Sequence, residues 1–169
     1  MRELPTNEAL ASLPLPLVIV TTEGVDGRKA GMTAAWVTQV SWQPPYVGVA
    51  IYNKWTTLKV LLERGEFAIN YVSPALVKAA LEVFGSLSSA VVDKFKIASE
   101  RYNVRVDYGR AVRVPVLLDA PVIVECKLHK YFEIGDHHLV ICAPVISYSG
   151  SDEEPLVYYR GKPRTLMKQ

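Results

Sequence analysis

Apolar positions in this chain gather in short β-branched runs divided by turn residues. The first run, residues 15–21, leads to Asp26-Gly27, a hairpin turn signal, and residues 32–40 return as a strand through Thr33, Trp36, Val37, Thr38 and Val40. Pro44-Pro45 breaks the chain before a third run at 46–52, and residues 67–72 form a fourth. Residues 121–132 and 137–148 face each other across Glu133-Ile134-Gly135-Asp136, and residues 156–159 close the set. Only two segments show helical spacing. One starts at Thr56 or Thr57, carries Leu58, Leu61 and Leu62, and stops at Gly65. The other has Ser73 as N-cap, Pro74 at the first helical position, Leu76, Ala79, Ala80 and Val83 on one side, and Gly85 at its end. Residues 86–103 are the least regular part. Many strands with turns between them predict a mainly β, antiparallel barrel, closed or nearly so, with a few short flanking helices. No repeat or linker divides the chain, so residues 1–169 are expected to form a single domain.

Composition narrows the class. Half of the 169 residues are hydrophobic and 21% are charged, which suits a folded globule. The formal net charge of +2 gives no strong pull toward nucleic acid or an anionic membrane. No apolar run reaches the ~18 residues of a membrane span, and Met1 to Leu13 lacks a basic start followed by an apolar core. A cytoplasmic location is the expectation. Two cysteines are too few for a disulfide framework in a chain of this length. Cys126 and Cys142 sit in the two facing strand runs, and register decides whether they touch.

Five segments can carry chemistry. Gly135-Asp136-His137-His138 stands out, because a turn uses the Gly and the Asp but has no need of paired imidazoles. Small residues at Thr33, Ala34 and Ala35 leave backbone N–H groups that a flat polar ring can approach. The same residues serve equally as a strand that packs small side chains on a neighbour. Asn53-Lys54-Trp55-Thr56-Thr57 leads into a helix, whose N-terminus offers free N–H groups and partial positive charge. With Lys54 and two threonines this is a seat for phosphate, or simply a capped helix end. Ser86, Ser88 and Ser89, followed by Asp93-Lys94-Phe95, can bond a ligand or make turns. Tyr158-Tyr159-Arg160 with Lys162 and Arg164 is basic and aromatic, either a ligand contact or a surface tail.

Other constellations are missing from the sequence. It has no Gly-x-Ser-x-Gly elbow, no Cys-x-x-Cys and no Gly-x-Gly-x-x-Gly. His129, His137 and His138 do not come with enough companions for a zinc site, and no metal is expected. A nucleic-acid-binding barrel is a distant alternative, resting on Lys94, Lys96, Arg101, Arg105, Arg110 and Arg113 interleaved with Tyr102 and Tyr108. A charge run of this kind is more often a solvated face.

Taken in order, these segments resemble one family. The carriers are Met32-Thr33-Ala34 with Trp36-Val37, Ser41 with Pro44-Pro45 and Val47, Lys54 and Thr57, and Gly65-Glu66-Phe67 with Asn70. Asp93-Lys94-Phe95, Gly135-Asp136-His137 and Pro155-Leu156-Val157-Tyr158-Tyr159-Arg160-Gly161 complete them. The chain resembles the flavin reductase-like, FMN-binding split-barrel family, most closely its flavoredoxin-like and archaeal ferric reductase-like members, from Leu15 to Gly161. It departs from that pattern after Gly161, where Lys162-Pro163 replaces an aromatic residue. The resemblance implies a Greek-key-like split β-barrel with FMN in a groove beside the barrel, at the interface of a homodimer. It implies that the backbone of Thr33, Ala34 and Ala35 lines the isoalloxazine, with Met32 and Trp36 beside it. Lys54, Thr56 and Thr57 would hold the phosphate, next to Asn53, and Ser86 and Ser89 would reach the ribityl chain or phosphate. Lys94 and Tyr159 would be further cofactor contacts. His137 would lie near both flavin and nicotinamide as the catalytic residue. The implied reaction is hydride transfer from NADH or NADPH to FMN, then to a small-molecule acceptor such as free flavin or a ferric chelate, or to a partner protein. The same residues leave open an FMN-binding electron carrier without nicotinamide activity.

Overall fold

The computed structural model describes residues 1–166. A short helix α1 (Thr6–Ala11) precedes β1 (Leu15–Pro16), β2 (Val18–Glu23), β3 (Lys29–Ala34), β4 (Val37–Ser41) and β5 (Tyr46–Tyr52). Helix α2 (Thr56–Arg64) leads to β6 (Glu66–Tyr71), then α3 (Val77–Ala79) runs into a π-helical turn at Ala80–Phe84, and α4 (Lys94–Tyr102) follows. The chain ends with β7 (Val106–Tyr108), β8 (Pro115–Leu117), the long strands β9 (Ile123–Ile134) and β10 (His137–Tyr148), and the small strands β11 (Val157–Tyr159) and β12 (Lys162–Arg164). Seven strands form one antiparallel sheet in the order β3-β2-β6-β9-β10-β5-β4. Its first and last strands, β3 and β4, are consecutive in the chain and joined only by Ala35-Trp36. The sheet therefore curls far enough for two residues to link its edges. Trp36 O accepts from Ala50 N at 2.9 Å, which ties that joint to β5.

The alternation of β2 explains why the sheet is covered on both faces. Val18 and Val20 point into one apolar cluster with Met32, Val49, Ile51, Leu61, Phe67 and Val140. Ile19 points to the other, with Phe84, Phe95, Val114 and Leu117. Leu58 and Leu61 of α2 close the first cluster, while the π-helical turn and α4 close the second. Phe84 and Phe95 meet edge to face at 5.4 Å there. Glu125 is fully buried on β9, its carboxylate accepting from the amides of Arg110, Ala111 and Val112 and from the Tyr148 hydroxyl. Burial by itself raises that carboxyl, but these four bonds outweigh it and hold it below the usual range.

The strand expectations hold with informative differences. The first run divides at Leu17, so that β1 leaves the main sheet to pair with β11. Residues 32–40 are two strands, because the chain must pass from one sheet edge to the other at Ala35-Trp36. The β9–β10 connection is only Gly135-Asp136, with Gly135 at φ 59°. Gly65 caps α2 at φ 73°, as its position predicts. The expected N-cap at Ser73 is a correction: regular helix begins only at Val77, and the Ser73 hydroxyl donates to Asp119 O instead. Residues 86–103 are also corrected, since α4 occupies half of them. Asp93 caps it by accepting from Phe95 N and Lys96 N at 3.0 Å each. The apolar spacing of α4 is short and imperfect, which hid it, as α1 was hidden by burying no side chain at all. Cys126 and Cys142 do touch. Cys142 pairs with Leu128 and Cys126 with Pro144, so the thiols meet diagonally at 2.8 Å in the first cluster. Their mutual bond and burial push the Cys126 thiol far up.

Candidate functional site

Two adjoining cavities share Met32 and Trp55 as their common wall. The narrower, ≈140 Å³, is lined by Met32, Thr33, Ala34, Ala35, Trp36, Ala50, Tyr52 and His137 besides Trp55. It lies at the Ala35-Trp36 link between the two sheet edges. Edge strand β3 has one line of backbone groups that no neighbouring strand uses. Gly31 shows which residues carry that line: its N–H donates to Ser89 Oγ (3.2 Å) and its C=O accepts from Lys94 Nζ (2.8 Å). Residues two apart on a strand share an edge, so the Thr33 amide faces the same way, into the cavity. The Thr33 hydroxyl is already committed to Ala80 O at 2.5 Å.

His137 opens β10 opposite Tyr52 on β5. Its ring sits 4.7 Å from the Trp36 ring and 5.5 Å from the Tyr52 ring. Its Nδ1 lies 2.6 Å from Asp136 Oδ1. An ionised carboxylate only accepts, so Nδ1 carries the proton and Nε2 is left for a ligand. The hydrogen bond from His137 outweighs the small effect of burial and lowers the Asp136 carboxyl, so this arrangement persists at neutral pH. His138 points to the other face of the strand, where Asn53 Oδ1 meets its Nδ1 at 2.6 Å.

The wider cavity, ≈230 Å³, runs from Met32 past Lys54, Thr56 and Thr57 to residues 84–89 and Lys94. Helix α2 receives no side-chain cap: Trp55 occupies the N-cap position, and among the described residues no acceptor meets the Thr56 and Thr57 amides. Lys94 is only 4% exposed, and its Nζ donates to Gly31 O (2.8 Å) and Phe84 O (2.9 Å). Both acceptors are neutral, and among the described residues no carboxylate pairs with this ammonium. Burial lowers its pKa to about 8. A buried cation beside an uncapped helix start fits an anionic group, and an adjoining chamber lined by Thr33–Trp36 and by the Tyr52, Trp55 and His137 rings fits a planar ring carrying an anionic tail. The donor set thus matches a phosphorylated flavin.

The structure brings Met32, Thr33, Ala34, Ala35, Trp36, Lys54, Thr56, Thr57, Ser86, Ser89, Lys94 and His137 to this groove. Tyr159 and Asn53 line neither cavity. Tyr159 pairs with Lys162 on β12, and Asn53 braces the β9–β10 turn through His138 and Gly135 O. Sequence reasoning named Trp55 only as part of the 53–57 segment and missed Tyr52, as well as the carbonyls of Gly31 and Phe84, since backbone groups leave no mark in a residue pattern. Among the basic residues offered for nucleic acid, Lys94 is buried, Lys96 meets Glu100, Arg105 pairs with Asp119, Arg113 with Glu23, and Arg110 lies over Tyr148. Among the described residues no three His, Cys, Asp or Glu side chains converge as metal ligands. No described helix is long and apolar enough to cross a membrane.

The model of the flavin reductase like domain matches residues 10–167, so the chain belongs to that family. It is 34% identical over 153 residues to the flavin reductase (NADH) of Kitasatospora aureofaciens, covering 89% of this chain and 75% of that one. It is 33% identical over 163 residues to the FMN reductase (NADH) RutF 2 of Methylorubrum extorquens, covering 94% of this chain and 88% of the relative. In three dimensions it is similar to the Streptomyces globisporus NADH:FAD oxidoreductase SgcE6, with TM-score 0.86, 23% identity and 99% of both chains covered. That last likeness speaks for the fold.

Proposed function

We propose that this protein is an NADH-dependent flavin reductase that takes FMN in the groove between β3, β10, α2 and α4. The observation that carries this reading is that the chamber beside His137 adjoins the cationic seat at the start of α2, the two sharing Met32 and Trp55 as lining residues. A bound flavin supplies the redox chemistry, accepting a hydride from a reduced nicotinamide. The chain's own residues bind and orient. The free edge of β3 places the Thr33 amide as a fixed donor, and fixed donors stabilise negative charge without reorganising. Trp36 and Tyr52 lie against the His137 ring, and Asp136 sets its tautomer, which leaves Nε2 free for a ligand at the chamber wall. The uncapped start of α2, Lys54, Lys94 and the 86–89 loop receive the phosphate. Relatives named as NADH reductases support the choice of NADH. Anaerobic addition of NADH to the FMN-loaded protein is expected to bleach the visible flavin band. A protein that binds FMN and stays yellow is an electron carrier instead, and the reductase reading fails.

The same reading takes the curled seven-stranded sheet as a split barrel and the chain as half of a homodimer. Support comes from an apolar cavity of ≈730 Å³ under α1, against β4, β5 and β10, which the chain itself leaves unfilled. Trp36, which is 57% exposed, forms part of its wall. Sedimentation equilibrium of the same sample measures the assembly, and a monomer at micromolar concentration refutes it.

A further inference from the structure

We propose that Lys94 selects the ligand of this groove by the charge of its tail: it is a buried ammonium bound to two carbonyls, with one proton left for a ligand anion. The proposal rests on the flavin reading above and deepens it. Lys54 is the other cation of the seat, but it is exposed, and water screens an exposed ammonium. Lys94 has no such screening. An ammonium has three donors, and Gly31 O and Phe84 O satisfy two. The position of Lys94 is built into the fold. A Cβ at residue 31 would stand 2.9 Å from the Phe84 ring, so only glycine lets β3 approach the π-helical turn closely enough for one ammonium to bridge both.

Among the described residues no neighbouring charge compensates it. Asp93, on its own element, turns its carboxylate to the α4 amides. On α4, Lys96 and Glu100 pair with each other. On the π-helical turn, Glu82 accepts from the Tyr102 hydroxyl. On β3, Lys29 lies over the Tyr108 ring. From the α2 side only Lys54 faces the cavity, and it is of the same sign.

Because burial places the Lys94 ammonium near its titration point at about 8, a phosphate tail that needs the charged form must pull a proton onto it above that pH. A phosphate monoester, whose second pKa is about 6, stays dianionic throughout. Affinity for FMN should then fall by up to ~30-fold between pH 7 and pH 9.5, whereas riboflavin, which has the same ring and no phosphate, should show no such loss.

The test is fluorescence titration of FMN and of riboflavin into wild type, Lys94→Met and Lys94→Arg across that pH range. Wild type is expected to prefer FMN strongly at pH 7 and to lose most of that preference by pH 9.5. Lys94→Arg should prefer FMN at every pH, since a guanidinium does not titrate there. Lys94→Met should lose most of the preference for FMN and all of its slope, keeping only what Lys54 and the start of α2 supply. A wild-type preference for FMN that is flat with pH, or that is undiminished in Lys94→Met, overturns the proposal while leaving the flavin reading intact. Failure of wild type to bind either flavin at any pH overturns the flavin reading and this proposal together. Should the variants not fold, calorimetry of wild type at pH 9 in two buffers of different ionisation enthalpy decides. About one proton taken up per FMN and none per riboflavin supports the role, and zero for both overturns it.

Discussion

Removing the Lys94 charge should reveal its cost in the ligand-free fold. The pKa of this lysine drops from 10.5 to about 8 through burial, a difference worth about 3 kcal/mol against folding while the group is charged. The unfolded chain binds the proton more tightly, so stability from this group rises with pH. The full cost is present below pH 8 and disappears as the pH climbs toward 10.5. Integrated between pH 7 and pH 9.5, wild type should recover about 2 kcal/mol. Lys94→Met keeps most of the volume and never carries the cost. It instead strands Gly31 O and Phe84 O, at about 1–2 kcal/mol each. The two effects nearly offset at pH 7, where the variant should melt within a few degrees of wild type. At pH 9.5 it should fall a further ~4–8 °C behind, taking ~2–4 °C per kcal/mol for a chain of this size. Thermal melts of both proteins without flavin, at both pH values, read the difference of differences, in which tyrosines and other lysines cancel. A gap that is the same at pH 7 and pH 9.5 refutes the buried-ammonium reasoning.

Two substitutions test other parts of the structure. His137→Ala should slow anaerobic flavin reduction by roughly 10- to 100-fold, the scale of a lost positioning contact, while the FMN dissociation constant changes little. Equal losses in both would discard the role given to His137. Glu125→Gln should destabilise the protein by about 2–4 kcal/mol at pH 7, because an amide NH₂ would face donors where the carboxylate accepts four bonds. The folded pKa of Glu125 is depressed, so its stabilisation is complete above the unfolded value of 4.5 and is lost as pH falls through the folded one. Denaturant midpoints of wild type and variant should therefore converge in acid, and a constant gap down to pH 3 counts against the carboxylate's role.

Most of the strands were legible because their residues alternate or run β-branched, and β-branched side chains suit a pleated surface. The Gly65 cap and the Gly135-Asp136 turn were legible for a different reason: both need φ > 0, which glycine supplies. Helix α4 was not, since its start depends on a side-chain cap at Asp93 and its apolar residues are few. The ends of the groove could be named from Thr33–Ala35, Lys54, Thr57 and Gly135-Asp136-His137. Tyr159 and Asn53 were assigned to the same ligand, yet pairing with β12 and the bond to His138 take them elsewhere. A motif tells which residues travel together and not which way each side chain turns.

Taken alone, the chain's pattern determined that strands dominate, that two of the three histidines lie at a tight turn, and that a lysine and two threonines gather at the start of a helix. These are local matters, set by propensity and by the few φ/ψ regions each residue allows. Only the tertiary structure decided that the two outermost strands of one sheet meet at Ala35-Trp36, bringing His137 from residue 137 against Trp36 from residue 36. It alone decided that Lys94 is sealed between Gly31 O and Phe84 O. Burial and the pairing of backbone carbonyls arise from contacts between segments far apart in the chain, and a linear pattern carries no record of which distant segments will close over a charge.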